Sequence, residues 1–247
     1  MFDLTGKTAL ITGSSRGIGL AAAKAFSANG AKVLLHCAKP EKYAEEAQTL
    51  LPDSPFYYAD LSSPNGAENL AEQIAGDGFS PDILILNASI QIRKISEKID
   101  YADYEKQMTT NFYSSLRLME LFLNAMKSRR WGRIVTVGSI QQIQPLAEMA
   151  VYSASKCAQW NLMRNQAKIL APYGITVNNI APGAILTPRN EQVLSDPDYE
   201  KECRRSIPAG YIGQAKDCTG AFLLFCSEAG KYITGVNLYV DGGKHLA

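Results

Sequence analysis

The chain has 247 residues, with 25 basic and 24 acidic side chains and a formal net charge of +1. This length suits one large α/β domain or two small ones, and the absence of a basic block argues against a nucleic-acid partner. The longest apolar runs, such as Ile83–Leu86, are too short to cross a bilayer, and residues 1–7 lack the charged segment and apolar core of a secretory signal, so we expect no membrane partner.

Apolar strand-like runs alternate with helical patterns along the chain. Alternating βα units with apolar strands predict an α/β fold, a Rossmann-like doubly wound parallel sheet of about seven strands with helices on both faces. No linker, internal repeat or low-complexity segment is visible, so residues 1–247 are expected to form a single domain. The predicted strands are 8–12, 32–36, 56–59, 83–87, 133–137, 176–181 and 237–240, and the predicted helices are 18–29, 41–51, 67–75, 101–127, 152–171 and 215–226.

A glycine-rich turn joins the first predicted strand to the first predicted helix. It contains Gly13, Gly17 and Gly19, in the spacing Gly-x-x-x-Gly-x-Gly rather than the commoner Gly-x-Gly-x-x-Gly. The physical use of the two spacings is the same, because glycines permit the turn and bring backbone N–H groups close to a pyrophosphate at a helix N-terminus. Three glycines at one such junction indicate a dinucleotide-binding site.

The end of the second predicted strand bears on the choice of nicotinamide cofactor. An Asp or Glu there would hold the ribose 2′-hydroxyl of NAD, whereas a basic residue accommodates the 2′-phosphate of NADP. The sequence reads His36-Cys37-Ala38-Lys39, without an acid at the expected place. Arg16 and Lys39 can reach a phosphate, and Cys37 adjoins it, so the pattern favours NADP and leaves NAD open.

Tyr152 and Lys156 lie four residues apart on one face of a predicted helix, with Ser139 thirteen residues upstream of Tyr152. An ammonium beside a phenol favours the phenolate, which helps a tyrosine to exchange a proton near neutral pH. The interconversion of an alcohol and a ketone requires such a transfer, and the Ser139 hydroxyl can hold the substrate oxygen. Taken alone, the Tyr-x-x-x-Lys spacing also fits an ordinary pair on a helix surface, and the glycine-rich turn is what favours chemistry.

In their order and spacing, these motifs resemble the short-chain dehydrogenase/reductase family, in its short single-domain branch, over nearly the whole chain. The resemblance implies a nicotinamide cofactor that delivers or accepts a hydride. It implies that Tyr152 exchanges the proton, that Lys156 assists Tyr152 and holds the nicotinamide ribose, and that Ser139 binds the carbonyl oxygen. Asn111 matches the asparagine that orders a proton-relay water in the family. The implied cofactor site consists of Gly13, Ser15, Arg16, Gly17, Ile18, Gly19, Asp60, Leu61, Asn87, Ala88, Tyr152, Lys156, Pro182, Gly183, Ile185 and Thr187.

One position departs from the family pattern. The motif after the fourth strand reads Leu86-Asn87-Ala88-Ser89, where the family usually has a glycine in place of Ser89. The serine adds a side chain beside the expected cofactor ribose and removes no catalytic group.

Two segments are expected to meet the substrate. The stretch between Ser139 and Tyr152 lines the substrate site in family members, and here it is polar, which favours a sugar, a polyol or a small polar ketone. Residues 187–210 break the βα rhythm with three prolines and many charges, and they are predicted to form a lid over the substrate. The candidate substrate residues are Gln141, Gln144, Glu148 and Arg93, with Lys94 beside Arg93 as a second possible contact for an acid group.

Other functions remain open at this point. A 3-ketoacyl thioester reductase shares every motif above, and a non-catalytic, cofactor-sensing binding protein could use the same fold. The two histidines, His36 and His245, have no visible Ser or Cys nucleophile, and five scattered cysteines without Cys-x-x-Cys spacing favour free thiols in the cytoplasm, so no metal site is expected. By resemblance, the chain is expected to form a homotetramer or a homodimer.

Overall fold

The structure is a computed structural model, and it describes residues 2–247. Within this range, seven parallel strands form one sheet in the order β3-β2-β1-β4-β5-β6-β9. Strands β7 and β8 form a separate two-stranded parallel pair. The strands are β1 (Thr8–Ile11), β2 (Lys32–Cys37), β3 (Phe56–Tyr58), β4 (Ile83–Leu86), β5 (Gly132–Val137), β6 (Ile175–Pro182), β7 (Ile185–Leu186), β8 (Gly213–Gln214) and β9 (Asn237–Val240).

Helices cover both faces of the sheet. The α-helices are α1 (Gly17–Ala28), α2 (Lys42–Leu50), α3 (Gly66–Gly76), α4 (Tyr101–Met108), α5 (Ser114–Arg129), α6 (Ala150–Leu170), α7 (Glu191–Leu194), α8 (Pro197–Arg205) and α9 (Thr219–Cys226). Among residues 2–247, no helix combines the length and the apolar composition that crossing a bilayer requires.

Alternating side chains of each strand enter two separate cores, one on each face of the sheet. Ile11 of β1 packs into the core that α1 and α9 cover, whereas its neighbour Leu10 packs into the core that α3, α5 and α6 cover. Burial on both faces explains why the strands read as continuous apolar runs rather than as alternating patterns. The predicted doubly wound α/β fold is confirmed.

The order in which successive strands are added to the sheet reverses between β1 and β4, which are neighbours in space but not in sequence. In an open parallel sheet, ligands bind at the carboxyl ends of the strands beside such a switch point. Gly13, Asn87 and Ser139 follow β1, β4 and β5 directly, so the topology brings them to one edge of the sheet.

Two details differ from the predicted elements. The helix predicted at 101–127 is divided by a π-helical turn, Thr109–Tyr113, into α4 and α5. The segment after β6 forms β7, which pairs with β8, and neither short strand was predicted. A π turn is a single-turn feature inside a helix, so the apolar period of the whole stretch predicts one continuous helix and does not reveal it.

Candidate active site

Backbone geometry explains the glycines at the start of α1. Gly13 and Gly17 have φ values of +66° and +58°, in the left-handed region where a side chain is strained. A Cβ on Gly19 would lie 2.3 Å from the Gly13 carbonyl oxygen, so the helix can approach the turn only without a side chain there. Arg16 is the N-cap of α1 and makes no side-chain cap, and the first turn of α1 has no acidic residue, so its N–H groups and positive dipole end suit an anion.

His36 fastens this turn to the neighbouring strands. The Gly13 N–H donates to His36 Nδ1 at 3.1 Å, and His36 Nε2 lies 2.9 Å from the Ala59 carbonyl oxygen. These partners fit a neutral imidazole with its proton on Nε2. Complete burial lowers the pKa of His36 to about 4, although its bond to Ala59 opposes that shift. His36, which sequence reasoning left without a role, therefore supports the glycine-rich turn.

Asn87 and Thr12 join the ends of β1 and β4. Asn87 Nδ2 donates to the carbonyl oxygens of Thr12 and Gly13, at 2.8 and 3.0 Å. Thr12 Oγ1 accepts the N–H groups of Asn87 and Ala88, both at 3.0 Å. In this structure the Asn87 side chain thus braces the turn.

Basic side chains lie at the β2 end of the same edge. The Arg16 guanidinium stacks 4.8 Å from the centre of the Tyr43 ring. The Cys37 thiol donates to the Lys39 carbonyl oxygen at 2.9 Å, which shapes the loop that carries the exposed Lys39 side chain. Glu41 lines the cavity here as well, an acid that sequence reasoning did not include.

One large cavity of about 590 Å³ runs along this edge, a volume within the usual range for a small-molecule or cofactor site. Its wall contains most of the predicted cofactor residues, and Ser139 and Tyr152 are part of the same wall. Gly19, Lys156 and Asn111 lie behind it. The predicted cofactor residues on the wall are Gly13, Ser15, Arg16, Gly17, Ile18, Cys37, Lys39, Asp60, Leu61, Asn87, Ala88, Tyr152, Pro182, Gly183, Ile185 and Thr187.

The segment after β6 closes the cavity opposite the glycine-rich turn. A Cβ on Gly17 would lie 3.3 Å from Thr187 Cγ2, so the two segments approach closely. A Cβ on Gly183 would lie 2.6 Å from Asp241 Cβ, so this glycine allows the loop to pack against the C-terminal strand end.

Lys156 is the most unusual charged group of the site. It is buried to 1 % exposure, and Nζ donates to the Val137 carbonyl oxygen at 2.7 Å and to Gln159 Oε1 at 3.2 Å. Its Nζ lies 5.8 Å from the centre of the Tyr152 ring. Burial, and next the charge of Arg189, lower the pKa of Lys156 to about 7. This group can therefore hold or release a proton near neutral pH.

The π turn places Asn111 against α6. Asn111 Nδ2 donates to the Ile90 carbonyl oxygen and to Ser155 Oγ, both at 3.0 Å, and Oδ1 accepts the Ile90 N–H at 2.8 Å. Ser155 Oγ in turn donates to the Tyr152 carbonyl oxygen at 2.7 Å. The asparagine side chain thus holds the loop after β4 against the helix that carries Tyr152.

A buried polar chain links Lys156 to the π turn. Gln159 accepts from Lys156, its Nε2 donates to Ser115 Oγ at 2.9 Å, and Ser115 Oγ donates to the Asn111 carbonyl oxygen at 3.4 Å. Sequence reasoning missed Gln159, although its place three residues after Lys156, on the same helix face, was a usable signal.

The predicted substrate residues separate into two groups. Gln141 and Arg93 line the cavity, and Arg93 pairs with Glu148 at 2.8 Å. Gln144 and Glu148 lie outside the lining, and Gln144 Nε2 donates to the carbonyl oxygens of Lys244 and Ala247. Lys94 is paired with Asp100 and Asp103. The cations expected to hold an acid group thus already have carboxylate partners.

Ser89, which departs from the family pattern, has a hydrogen-bond partner in the predicted lid, Arg189. Arg189 Nη1 donates to Ser89 Oγ at 2.9 Å, and Nη2 donates to the Ser89 carbonyl oxygen at 2.5 Å. The two residues are 100 positions apart in the chain, so no local sequence pattern could have indicated this contact.

The fold and the cavity define a dinucleotide-binding α/β protein with a Tyr-Lys pair at its active-site edge. A family model described as enoyl-(acyl carrier protein) reductase matches residues 13–245. A 3-oxoacyl-[acyl-carrier-protein] reductase of Haemophilus influenzae is 36% identical over 245 residues, which is 99% of this chain and 100% of that protein. A glucose 1-dehydrogenase of Gluconobacter oxydans is 36% identical over 247 residues, which is 98% of this chain and 92% of that protein.

Among solved structures, the chain is similar to a putative NAD(P)-dependent gluconate 5-dehydrogenase of Beutenbergia cavernae, which holds NADP at low occupancy. The two superpose with a TM-score of 0.94 and are 32% identical, and the match covers 100% of this chain and 99% of that one. The chain belongs to the short-chain dehydrogenase/reductase family. It is accordingly an oxidoreductase that interconverts alcohols and ketones with a nicotinamide cofactor.

Proposed function

We propose that this chain is an NADP-dependent oxidoreductase that interconverts a secondary alcohol and a ketone on a small hydroxylated substrate. The observation that carries the proposal is the single cavity whose wall joins the glycine-rich turn to Ser139 and Tyr152, with the buried Lys156 ammonium behind it. A dehydrogenase needs one continuous cavity, because the nicotinamide end of the cofactor must lie next to the reacting carbon of the substrate.

The residues present fit a nicotinamide dinucleotide. Uncapped N–H groups at the start of α1 suit the pyrophosphate. Arg16 and Lys39, at the β2 end, suit the 2′-phosphate that distinguishes NADP, and the relative of known structure named above carries NADP. On this arrangement Asp60 and Leu61 would lie beside the adenine, and Pro182, Gly183, Ile185 and Thr187 beside the nicotinamide.

The cofactor, when bound, supplies or accepts the hydride. Tyr152 gives its phenolic proton to the oxygen of the ketone, or takes a proton from the alcohol in the reverse direction. Ser139 Oγ, which already accepts the Gln141 N–H at 3.2 Å, donates to the same substrate oxygen. Lys156, with a pKa of about 7, favours the tyrosinate when protonated, and its bonds to the Val137 carbonyl oxygen and Gln159 hold the ammonium in place.

The substrate end of the cavity supports a hydroxylated substrate. Gln141, Ser139 and Asn190 present hydrogen-bonding groups to it. Residues 187–210, which carry α7 and α8, cover this end as the proposed lid. The five free thiols support a location in the cytoplasm. The resemblance to the family supports a homotetramer or a homodimer.

Removal of the Tyr152 hydroxyl tests the mechanism. Tyr152→Phe should lower kcat by about 10²- to 10⁴-fold, because the proton donor is lost, while the Kd for NADPH changes little. Steady-state oxidation of NADPH with a panel of hydroxyketones measures the first quantity, and nicotinamide fluorescence measures the second. Tyr211→Phe, which removes an exposed hydroxyl outside the cavity lining, is the matched control and should keep full activity. A Tyr152→Phe enzyme with unchanged kcat would refute the assignment.

A second candidate is reduction of a 3-ketoacyl thioester. The cavity wall contains four apolar residues that an acyl chain could contact, namely Leu146, Met149, Val193 and Leu194. A reductase of this kind is among the relatives. Turnover of acetoacetyl thioesters faster than of hydroxyketones would favour this candidate. NADPH binding without turnover of either class would instead favour a cofactor-sensing protein.

A further inference from the structure

Arg189 is a cation of the active-site cavity with no carboxylate partner. Among the described residues, 2–247, no Asp or Glu oxygen lies within 4.0 Å of its guanidinium, whereas Arg93 on the same wall is paired with Glu148. A guanidinium has five N–H donors. The two contacts with Ser89 therefore leave three donors for a ligand.

Acidic side chains are absent from the part of the wall around Arg189. Within the described chain, two acids line the cavity, Glu41 and Asp60, and both belong to the β2–β3 side. Arg189 follows β7, and its guanidinium reaches Ser89 after β4, two strands away from β2. Lys244 adds a second positive charge to the Arg189 side, where its Nζ donates to the neutral Ser206 Oγ at 2.9 Å. The substrate end of the cavity thus has an excess of positive charge.

The Arg189 side chain is held in place before any ligand arrives. Its two bonds reach both the hydroxyl and the carbonyl oxygen of Ser89, and a glycine at position 89 could offer the carbonyl alone. Its charge also acts on Lys156, because it contributes to the lowered pKa of that group. Arg189, Ser139 and Tyr152 line the same cavity, so an anion bound to Arg189 would share that cavity with the reacting groups.

Resting on the proposed function, we propose that the substrate carries a carboxylate and that Arg189, positioned by Ser89, binds it. A planar guanidinium with adjacent free N–H groups can hold a carboxylate through two parallel hydrogen bonds. The substrate class is then a hydroxy or keto acid of sugar size rather than an uncharged sugar or polyol. Ser89 acts as a positioning residue in this arrangement.

Two other roles for Arg189 make different predictions. If the bonds to Ser89 only fasten the segment that follows β6, loss of the guanidinium should weaken charged and uncharged substrates equally. If Arg189 instead contacts the cofactor pyrophosphate, its loss should weaken NADPH binding.

The test uses tartrate, a small hydroxydicarboxylate, titrated calorimetrically into protein saturated with NADP. Arg189→Met should weaken tartrate binding by about 10- to 100-fold, the range expected for loss of charge-assisted hydrogen bonds. Arg189→Lys should recover part of the affinity, because the charge remains while the paired geometry is lost. Arg164→Met, which removes the same charge from an exposed site of α6 outside both the cavity lining and the proposed lid, is the matched control and should bind tartrate as the wild type does.

Kinetics and cofactor binding complete the test. The ratio of kcat/KM for gluconate to kcat/KM for the uncharged polyol glucitol should fall in Arg189→Met by a similar factor, while the Kd for NADPH stays within about threefold. Equal tartrate binding by wild type and Arg189→Met, an unchanged substrate ratio, or an equal loss of NADPH affinity would overturn the carboxylate assignment while leaving the proposed function intact. A wild-type protein that neither binds NADPH nor turns over any ketone would overturn both.

Discussion

A buried lysine next to a tyrosine is costly to maintain, and its surroundings show how this protein does so. Lys156 has two hydrogen-bond acceptors, the Val137 carbonyl oxygen and Gln159, and an ammonium has three donors. One donor therefore remains for the cofactor or for Tyr152. Because burial lowers its pKa to about 7, protonated and neutral Lys156 are both populated at neutral pH, which suits a group that assists proton exchange at Tyr152.

His36 makes the stability of the protein depend on pH. The folded protein holds this imidazole neutral with a pKa of about 4, whereas the unfolded chain takes up the proton at about 6.5. The unfolded state therefore binds more protons between these values, and the free energy of unfolding falls as the pH drops through this window. Between about pH 7.5 and about pH 5, His36 should account for a loss of about 2 kcal/mol.

Urea unfolding of wild type and His36→Asn at both pH values measures this contribution. The quantity of interest is the change in the free energy of unfolding between the two pH values, compared between wild type and variant. The variant should be less stable at about pH 7.5, since the Gly13 N–H loses its present acceptor, but should lose about 2 kcal/mol less on acidification. His245→Asn is the control, because it removes the other histidine and leaves His36 in place, and it should keep the loss of about 2 kcal/mol that His36 causes. Identical pH dependence in wild type and His36→Asn would contradict the role given to His36.

Most of the residues that the sequence predicted for the site lie on the cavity wall, but their partners were not predicted. Tyr152, Lys156 and the glycines were identifiable because their spacing reflects local geometry, either a helix face or a turn. Ser115 and the Arg189–Ser89 contact were missed, since contacts between distant segments have no sequence period. Gln159 was missed although its spacing of three residues from Lys156 is local. Arg93 was assigned to an acid group of the substrate, whereas the fold gives it Glu148 as a partner.

Most of the regular elements were predictable, because strands buried on both faces and glycine-bounded helices leave clear patterns. The seven predicted strands coincide with the seven strands of the main sheet to within one residue at each end. The π turn at Asn111 and the short pair β7–β8 were not, because tertiary contacts rather than local propensity define them. Both unpredicted features lie at the active-site edge, where local regularity gives way to function.

The exposure of helices α7 and α8 fits the proposed lid. Their residues are exposed or half-buried, and the segment is attached at its far end, where the Ala209 N–H donates to the Gly242 carbonyl oxygen at 3.0 Å. Helices with so little buried surface open easily. By contrast, Tyr152 and Lys156 belong to α6, whose inner face is fully packed.

Hydrogen–deuterium exchange tests this difference. Amides of residues 191–205 should exchange rapidly in the free protein and slow by at least about tenfold when NADPH is added, because closure over the cofactor removes the open state. Amides in the middle of α6 serve as the internal reference and should be slow in both states. If residues 191–205 are protected already without cofactor and show no change, the segment is a rigid surface elaboration.

The charge of the protein is balanced over the chain as a whole but not within the cavity. The net charge of the chain is +1, yet the described residues that line the cavity include six bases and two acids. Such an excess favours anionic ligands and can steer them toward the site. Arg16 and Lys39 lie at the end proposed for the cofactor, with Glu41 beside them. The six bases are Arg16, Lys39, Arg93, Lys106, Arg189 and Lys244.

A titration of the purified protein with NADPH and NADH, followed by nicotinamide fluorescence, tests the proposed function most directly. NADPH should bind at least about tenfold more tightly, as expected when charge-assisted hydrogen bonds hold the 2′-phosphate. Lys39→Met should reduce this preference, and Glu41→Gln should increase it, because one variant removes an attractive charge and the other a repulsive one. Equal affinities, or tighter binding of NADH, would contradict the assignment of NADP, and binding of neither cofactor would contradict the proposed enzyme itself.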